Sequence, residues 1–106
     1  MKLLTKAIEN KLTKSPLYST DGQGENAKVI VKFFMPEGSA TWLVTEGEKQ
    51  PDGDWLFFGK AKLFDSWEYG YFTLSELMSL RTPLFRLPVE RDLYVGGETL
   101  KDLNAA

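Results

Sequence analysis

The chain contains no cysteine and no histidine among its 106 residues. Without cysteine it has no disulfide bond, no thiolate nucleophile and no ligand set for an iron–sulfur cluster. Without histidine as well, it lacks the usual ligands of zinc and haem and the commonest general base near neutral pH. Carboxylates, lysine, arginine, tyrosine, serine and threonine remain for chemistry. The sequence therefore predicts no catalytic residue, no metal site, no cofactor and no enzyme activity.

Long apolar runs and a strong net charge are also missing. No apolar run approaches the ~20 residues needed to cross a bilayer, and the start, Met1-Lys2-Leu3-Leu4, is too short in apolar residues for a signal peptide. These absences predict a cytoplasmic location and no membrane partner. The net charge of −2 and the pI of about 5.1 argue against a surface built as a whole for DNA, but leave room for a local basic face. The oligomeric state stays open.

What the chain does have is an ordinary globular composition with a high aromatic content. Hydrophobic residues make up 42% of the sequence, charged residues 26% and aromatic residues 13%. A chain of this length has room for one core, and aromatic rings bury much area each. We therefore expect a single domain over residues 1–106.

The spacing of apolar residues predicts a helix followed by four strands. Leu4, Ile8 and Leu12 recur every four residues, which indicates a helix over residues 3–14 that ends at Ser15-Pro16. A polar, glycine-bearing loop over 17–26 follows, of a length often found in functional or mobile segments. Strands are indicated from residues 27, 41, 55 and 67, and the first places Val29, Val31 and Phe33 on one face.

The C-terminal part of the sequence predicts a second helix and a weaker fifth strand. Thr73-Leu74-Ser75-Glu76 matches a capping box, and Leu74, Leu77 and Met78 would form the apolar face of a helix that ends before Pro83. Pro88 excludes a central strand in the first half of 85–95, and Val89, Leu93 and Val95 indicate an edge strand there instead. A last helical turn is indicated at 99–103. The predicted fold is α+β: an antiparallel meander of four to five strands with an N-terminal helix and one or two short helices.

Lysines and aromatic residues share strand phases in two places. Lys28, Ile30, Lys32 and Phe34 alternate along the first strand, and Phe58, Lys60, Lys62 and Phe64 along the third. If the two faces coincide, they resemble a platform for single-stranded nucleic acid. The acidic overall charge favours the alternative, in which the lysines are solvated strand residues and the rings meet a helix.

Charged residues suggest two further sites. Converging carboxylates such as Glu46, Glu68 and Asp92 could bind a metal ion or divide acid and base roles, although acids at turns and helix starts usually serve the backbone. Arg91, between Glu90 and Asp92, is typical of a structural ion-pair cluster, with a binding role as the alternative.

Four stretches of the sequence carry a resemblance to a known family. They are Trp42 to Glu46, Phe57-Phe58-Gly59, Glu68 to Leu77 with its Gly70-Tyr71-Phe72-Thr73-Leu74-Ser75-Glu76-Leu77 core, and Glu90-Arg91-Asp92-Leu93. Together they resemble small proteins of unknown function encoded on bacterial plasmids and integrative elements, often near antirestriction genes. The likeness covers most of the chain. It departs at 60–66, a region that is longer and more charged than the resemblance leads us to expect. It implies a bacterial, cytoplasmic, mobile-element setting, in which small acidic proteins often act by binding, and it brings no established activity.

These observations favour a non-enzymatic interaction module, an adaptor or inhibitor that binds a protein partner. Exposed tyrosine and tryptophan would be natural anchors. The candidate binding residues are Trp42, Glu46, Glu68, Tyr71 and Arg91. The alternative is a nucleic-acid-binding protein that uses Lys28, Lys32, Lys60 and Lys62. The second alternative is a metal-dependent hydrolase that uses its carboxylates.

Overall fold

The computed structural model describes residues 2–38 and 40–103, in which two α-helices pack on a five-stranded antiparallel sheet. The helices are α1 (Lys6–Thr13) and α2 (Leu74–Ser79), and a 3-10 turn covers Gly24–Asn26. The strands are β1 (Val31–Phe34), β2 (Thr41–Lys49), β3 (Trp55–Lys62), β4 (Trp67–Thr73) and β5 (Glu90–Arg91). The predicted α+β fold is confirmed. In the described ranges, neither helix has the length and apolarity to span a membrane.

The first four strands form the predicted meander, and the fifth does not extend it. The strand order is β4-β3-β2-β1-β5, so the chain crosses the sheet after α2 and pairs β5 with β1. The paired residues are Phe33 with Arg91 and Phe34 with Glu90. The strand has only two residues, and Leu93 lies beyond it with 63% of its surface exposed. The predicted edge strand exists, but it is shorter than expected.

Most of the core lies between the sheet and the two helices, on what we call the helix face. The Phe57 ring is fully buried there, with its centroid 5.9 Å from that of Phe33 and 5.7 Å from that of Phe72. Leu12 of α1 and Leu77 of α2 cover these rings. Each such side chain contributes about 1.5–3 kcal/mol on burial, so this face supplies most of the driving force for folding.

Both helices begin at a threonine cap. The backbone N–H of Ile8 donates to Thr5 Oγ1 at 3.3 Å, so α1 begins at Lys6, three residues later than predicted. The N–H of Glu76 donates to Thr73 Oγ1 at 3.1 Å, as the capping-box pattern predicted. Met78 is 58% exposed, so the expectation that it belongs to the apolar face of α2 is wrong.

A second, smaller core lies on the opposite face of the sheet, the loop face. Val29 packs there with Leu43 and Leu100, whereas Val31 packs on the helix face. The N–H of Ile30 donates to the carbonyl of Val44, which is already the partner of Val31. The alternation therefore slips by one residue, and such a slip moves side chains to the other face. The prediction that residues 29, 31 and 33 share a face is wrong, and Lys28 loses its phase with Lys32.

Strand β2 is buried on both faces and contains a bulge. Val44 pairs with Gly59 and Glu46 pairs with Phe58, which leaves Thr45 without an opposing residue. A bulge reverses which side chains point to which face. Glu46 would otherwise lie on the helix face with Val44, and the bulge turns it to the loop face instead.

Candidate functional site

Aromatic side chains from β3, β4 and the 17–26 loop form an exposed cluster on the loop face, which we call the tyrosine surface: Tyr18, Phe58, Tyr69 and Tyr71. The Phe58 ring stacks on Tyr69, with centroids 5.9 Å apart and planes 7° apart, and lies 5.0 Å from the Tyr71 ring. Tyr18, Tyr69 and Tyr71 are 65%, 49% and 52% exposed. Period-two alternation along β4 places both of its tyrosines on this face.

Glu46 holds the loop that presents Tyr18. Its buried carboxylate accepts the Tyr18 N–H at 2.7 Å, the Thr20 N–H at 2.9 Å and the Thr20 hydroxyl. A buried charge needs such compensation. Tyr18 has a φ of +73°, which is uncommon for a residue other than glycine. Glu46 thus stabilises an unfavourable backbone conformation that directs Tyr18 towards β4.

The loop and β4 meet at their two tyrosines. A hydrogen bond with Tyr18 raises the pKa of Tyr71 above its ordinary value, with smaller contributions from burial and from the carboxylates of Glu46 and Asp21. Both a loop residue and a strand residue therefore shape the surface, and Tyr71 is neutral at physiological pH.

A lysine and a glutamate support the other end of the tyrosine surface. Lys60 Nζ lies 2.6 Å from Glu25 Oε1 and 4.7 Å from the centroid of the Tyr69 ring, whose hydroxyl donates to Glu25 Oε2 at 2.6 Å. The hydrogen bonds from Lys60 and Tyr69 lower the pKa of Glu25. Partial burial and the hydrogen bond to Glu25 raise the pKa of Tyr69 to about 12. The ring of Tyr69 is thereby fixed in place.

A groove runs along the outer side of β4, between the β3–β4 turn and α2, and we call it the β4 groove. Its volume is about 540 Å³, and a neighbouring hollow of about 430 Å³ beside α2 shares several of its lining residues. The apolar and acidic residues that line the β4 groove include Trp42, Leu63, Phe64, Glu68, Phe72 and Glu76. Buried Trp42 and Phe72 form an apolar floor, and exposed Glu68 and Glu76 supply negative charge. No lysine or arginine of the described ranges lines either hollow.

The structure brings four of the five predicted binding residues to the region of β4. Tyr71 lies on the tyrosine surface and Glu46 beneath it, while Trp42 and Glu68 line the β4 groove. Trp42 is only 5% exposed, so it is not the protruding anchor that we expected. Whether these residues bind a partner stays a prediction.

Arg91 lies at the far edge of the sheet from the other four candidates. Its guanidinium donates to the backbone carbonyls of Lys2 and Leu3. These bonds fasten the N-terminal segment to β5. These main-chain contacts support the favoured structural interpretation of Arg91, while the ion-pair cluster and a binding role stay predictions.

The predicted lysine face is not assembled. Lys60 is 7% exposed and paired with Glu25, and Lys32 Nζ lies 3.7 Å from Asp92. The one-residue slip before β1 takes Lys28 out of the alternation that it would share with Lys32. The expectation that four lysines line one exposed face is therefore wrong. Lys62 is half-buried at the end of β3.

The carboxylates proposed for a hydrolase are also dispersed. Glu46 lies on the loop face, Glu68 on the helix-face side of β4, and Asp92 next to β5 at the opposite edge. Within residues 2–38 and 40–103, no three acidic residues are grouped so that they could hold a metal ion. The expected convergence of these three residues is wrong.

Tyr18 and Glu25 are the parts of the site that sequence patterns did not reveal. Both lie before β1, in an irregular segment with no period that would assign a face. For Tyr69 a signal was present, because it shares the phase of Tyr71 along β4. Long-range hydrogen bonds to Glu46 and Lys60 decide where the loop residues lie.

These features define a small α+β domain whose antiparallel sheet presents an aromatic surface and a groove beside one edge strand. The chain belongs to a family of proteins of unknown function, DUF2958, whose model matches residues 3–103. The uncharacterised family predicted from the resemblance is thus confirmed, and its plasmid and integrative-element setting stays a prediction. No curated protein and no solved structure matches the chain at a significant level.

Proposed function

We propose that this protein is a non-enzymatic interaction module that binds a protein partner through the tyrosine surface. The observation that carries the proposal is that three tyrosines, each about half exposed or more, are held by hydrogen bonds to neighbouring polar groups. Glu46 holds Tyr18, and the Lys60–Glu25 pair holds Tyr69. Exposed rings kept in one arrangement fit a binding role better than a core role.

Pre-organised tyrosines are effective anchors for a protein partner. They bring large apolar area with a polar hydroxyl, and they lose little side-chain entropy when they are already fixed. Interface hot spots are enriched in tyrosine for this reason. The stack of Phe58 on Tyr69 supplies such a rigid centre.

The charges around the tyrosine surface favour protein over nucleic acid. Glu25 and Asp21 lie beside the rings, and the charge of Lys60 is taken up by Glu25. Nucleic-acid binding depends on cations that neutralise phosphates. Carboxylates in this position would repel a phosphate backbone.

The ionisation of the tyrosines argues against a role for either of them as a base or nucleophile. The pKa of Tyr69 is raised to about 12 and that of Tyr71 is also raised, so both hydroxyls keep their protons near neutral pH. A general base or nucleophile needs the opposite shift. The raised pKa values favour binding through neutral rings.

The setting we propose is a bacterial mobile element, with the protein acting in the cytoplasm as an adaptor or inhibitor. The support is the resemblance to proteins of plasmids and integrative elements. Membership in the family leaves this finer assignment as a proposal.

A pull-down from bacterial lysate, with and without nuclease, tests the proposal. The test variant is Tyr18→Asn with Tyr71→Ala, because asparagine tolerates the positive φ at position 18. The control is Tyr94→Ala, which removes a tyrosine that is 92% exposed near the opposite edge. We expect a nuclease-resistant stoichiometric partner whose recovery falls at least tenfold in the double variant and is unchanged in the control.

Equal recovery of the partner by the double variant and the wild-type protein would contradict the proposal, provided circular dichroism shows the variant folded. Loss of all recovered material on nuclease treatment would favour nucleic-acid binding instead.

A further inference from the structure

The two edges of the sheet differ in their protection against added strands. Edge β5 has two residues, both charged, and follows Pro88. Edge β4 has seven residues, WEYGYFT, without proline or lysine, and its register with β3 runs unbroken from Trp67 to Thr73. Short length, charge, proline and bulges are the usual means of blocking a sheet edge. Of the two edges, only β5 combines short length, charge and a nearby proline.

The outer backbone of β4 is available for pairing. Apart from the β3 ladder, the backbone hydrogen bonds of the described residues do not involve residues 67–73. In an antiparallel ladder, alternate N–H and C=O groups of an edge strand point away from the sheet. An extended peptide adds to such an edge through main-chain hydrogen bonds, and pockets for alternate side chains give specificity.

A strand added beside β4 would place its side chains in two different environments. Alternate side chains would enter the β4 groove above Trp42 and Phe72, and the others would meet the rings of Tyr69 and Tyr71. The groove has room for a long aliphatic chain. Both environments thus suit an extended segment with apolar residues.

The charge of the groove determines what else such a segment carries. Glu68 and Glu76 are exposed beside the apolar floor, and no described basic residue lines it. Lysine or arginine next to the apolar side chain would complement these carboxylates. A second copy of the chain would instead bring the same acidic residues to the shared edge, which like-charge repulsion opposes.

We propose that β4 docks an extended segment of the partner in which an apolar residue is flanked, two positions away, by lysine or arginine. This inference rests on the proposed function and specifies its partner. The segment becomes a sixth strand, with the apolar side chain and its basic neighbours in the β4 groove. Tyr69 and Tyr71 cover its other face.

A titration of the ¹⁵N-labelled full chain, followed by NMR, tests this proposal. The probe is a short capped peptide with leucine flanked two positions away on each side by lysine, and valine and threonine between. We expect saturable shifts centred on the amides of residues 67–73. A peptide with glutamate in place of lysine should bind at least about tenfold more weakly. N-methylation of the peptide backbone should abolish the shifts, because it removes the donors of the ladder.

Two matched variants test the charge. Glu68→Lys should weaken the lysine peptide about tenfold, since it replaces an attraction by a repulsion. Glu48→Lys makes the same charge change on an exposed residue of β2 outside the groove, and should change affinity by no more than about twofold.

Other outcomes would overturn the inference. These are equal binding of the acidic peptide, indifference to N-methylation, shifts that map away from β4, or concentration-dependent β4 shifts without peptide, which would identify a second copy as the occupant. If no peptide binds while the Tyr18/Tyr71 variant loses its partner, the strand-docking inference fails and the proposed function stands. If that variant keeps its partner, the proposed function fails by itself.

Discussion

Glu46 shows how one buried charge organises an exposed surface. Its carboxylate accepts hydrogen bonds from Tyr18 and Thr20, which lie 28 and 26 residues earlier in the chain. The side chain is 1% exposed, so water cannot replace these donors. The position of Tyr18 therefore depends on a residue that a partner would not touch.

The substitution Glu46→Gln should lower the free energy of unfolding by about 1–3 kcal/mol, because an amide cannot accept all of the donors that the carboxylate satisfies. We also expect faster hydrogen exchange at the amides of Tyr18 and Thr20. Urea unfolding and hydrogen exchange measure the two effects.

The control is Glu48→Gln, which removes the same charge from an exposed residue of the same strand. It should change stability by less than about 0.5 kcal/mol. If both variants unfolded at the same urea concentration, Glu46 would not be the anchor of the loop.

At the scale of the elements, the bulge in β2 is what connects the core to the tyrosine surface. Thr45 is the inserted residue, and its neighbour Val44 pairs with Gly59. A Cβ atom on Gly59 would lie 1.8 Å from the carbonyl oxygen of Leu43, which no side chain can tolerate. The bulge, and with it the direction of Glu46, requires glycine at this position.

Gly59→Ala should therefore destabilise the protein by about 3 kcal/mol or more, since the clash is with backbone. Gly70→Ala is a matched control, because Gly70 pairs directly with Gly59 and an added Cβ there meets nothing within 4 Å. Thermal unfolding of the two variants measures the difference. Equal melting temperatures would show that β2 and β3 can separate at the bulge at little cost.

Sequence patterns predicted the helices and strands, but not which face of the sheet each side chain lies on. The meander and the cap at Thr73 were predictable, since alternation and capping are local properties. The slip at Ile30 and the bulge at Thr45 were not, because each depends on a partner strand. Those two irregularities are what remove Lys28 from the lysine face and place Glu46 on the loop face. The candidate site was accordingly predicted only in part.

At the scale of the whole molecule, carboxylates join segments that are distant in the chain. The Ser75 hydroxyl donates a 2.6 Å hydrogen bond to the carboxylate of Asp54, which links the β2–β3 turn to α2. This hydrogen bond is the main cause of the lowered pKa of Asp54. The pKa values of Glu25 and Glu37 are also lowered, chiefly by hydrogen bonds from the distant Lys60 and Thr82, and that of Asp102 is lowered by hydrogen bonds from nearby Thr99. Each group stabilises the fold above its unfolded pKa, ordinarily 4.5 for glutamate and 3.8 for aspartate, and the stabilisation is lost as pH falls through the lower folded value.

The urea midpoint of the wild-type protein should thus be constant near neutral pH and fall progressively below about pH 4.5. In Asp54→Asn the midpoint should be lower at neutral pH and its decline in acid shallower, because one of the linked groups no longer titrates. Asp65→Asn, which removes a negative charge from an exposed turn residue, should follow the wild-type slope. Parallel acid profiles for wild type and Asp54→Asn would exclude a linkage through Asp54.

The unequal edges of the sheet also limit assembly of the chain through those edges. Growth of a sheet by successive addition needs two usable edges, and β5, with its two charged residues, offers little to the next strand. Any strand that pairs with β4 uses up the one long edge. Repeated pairing of β4 on one copy with β5 on the next is therefore opposed, and concentrating the protein should not yield a fibre built through these two edges.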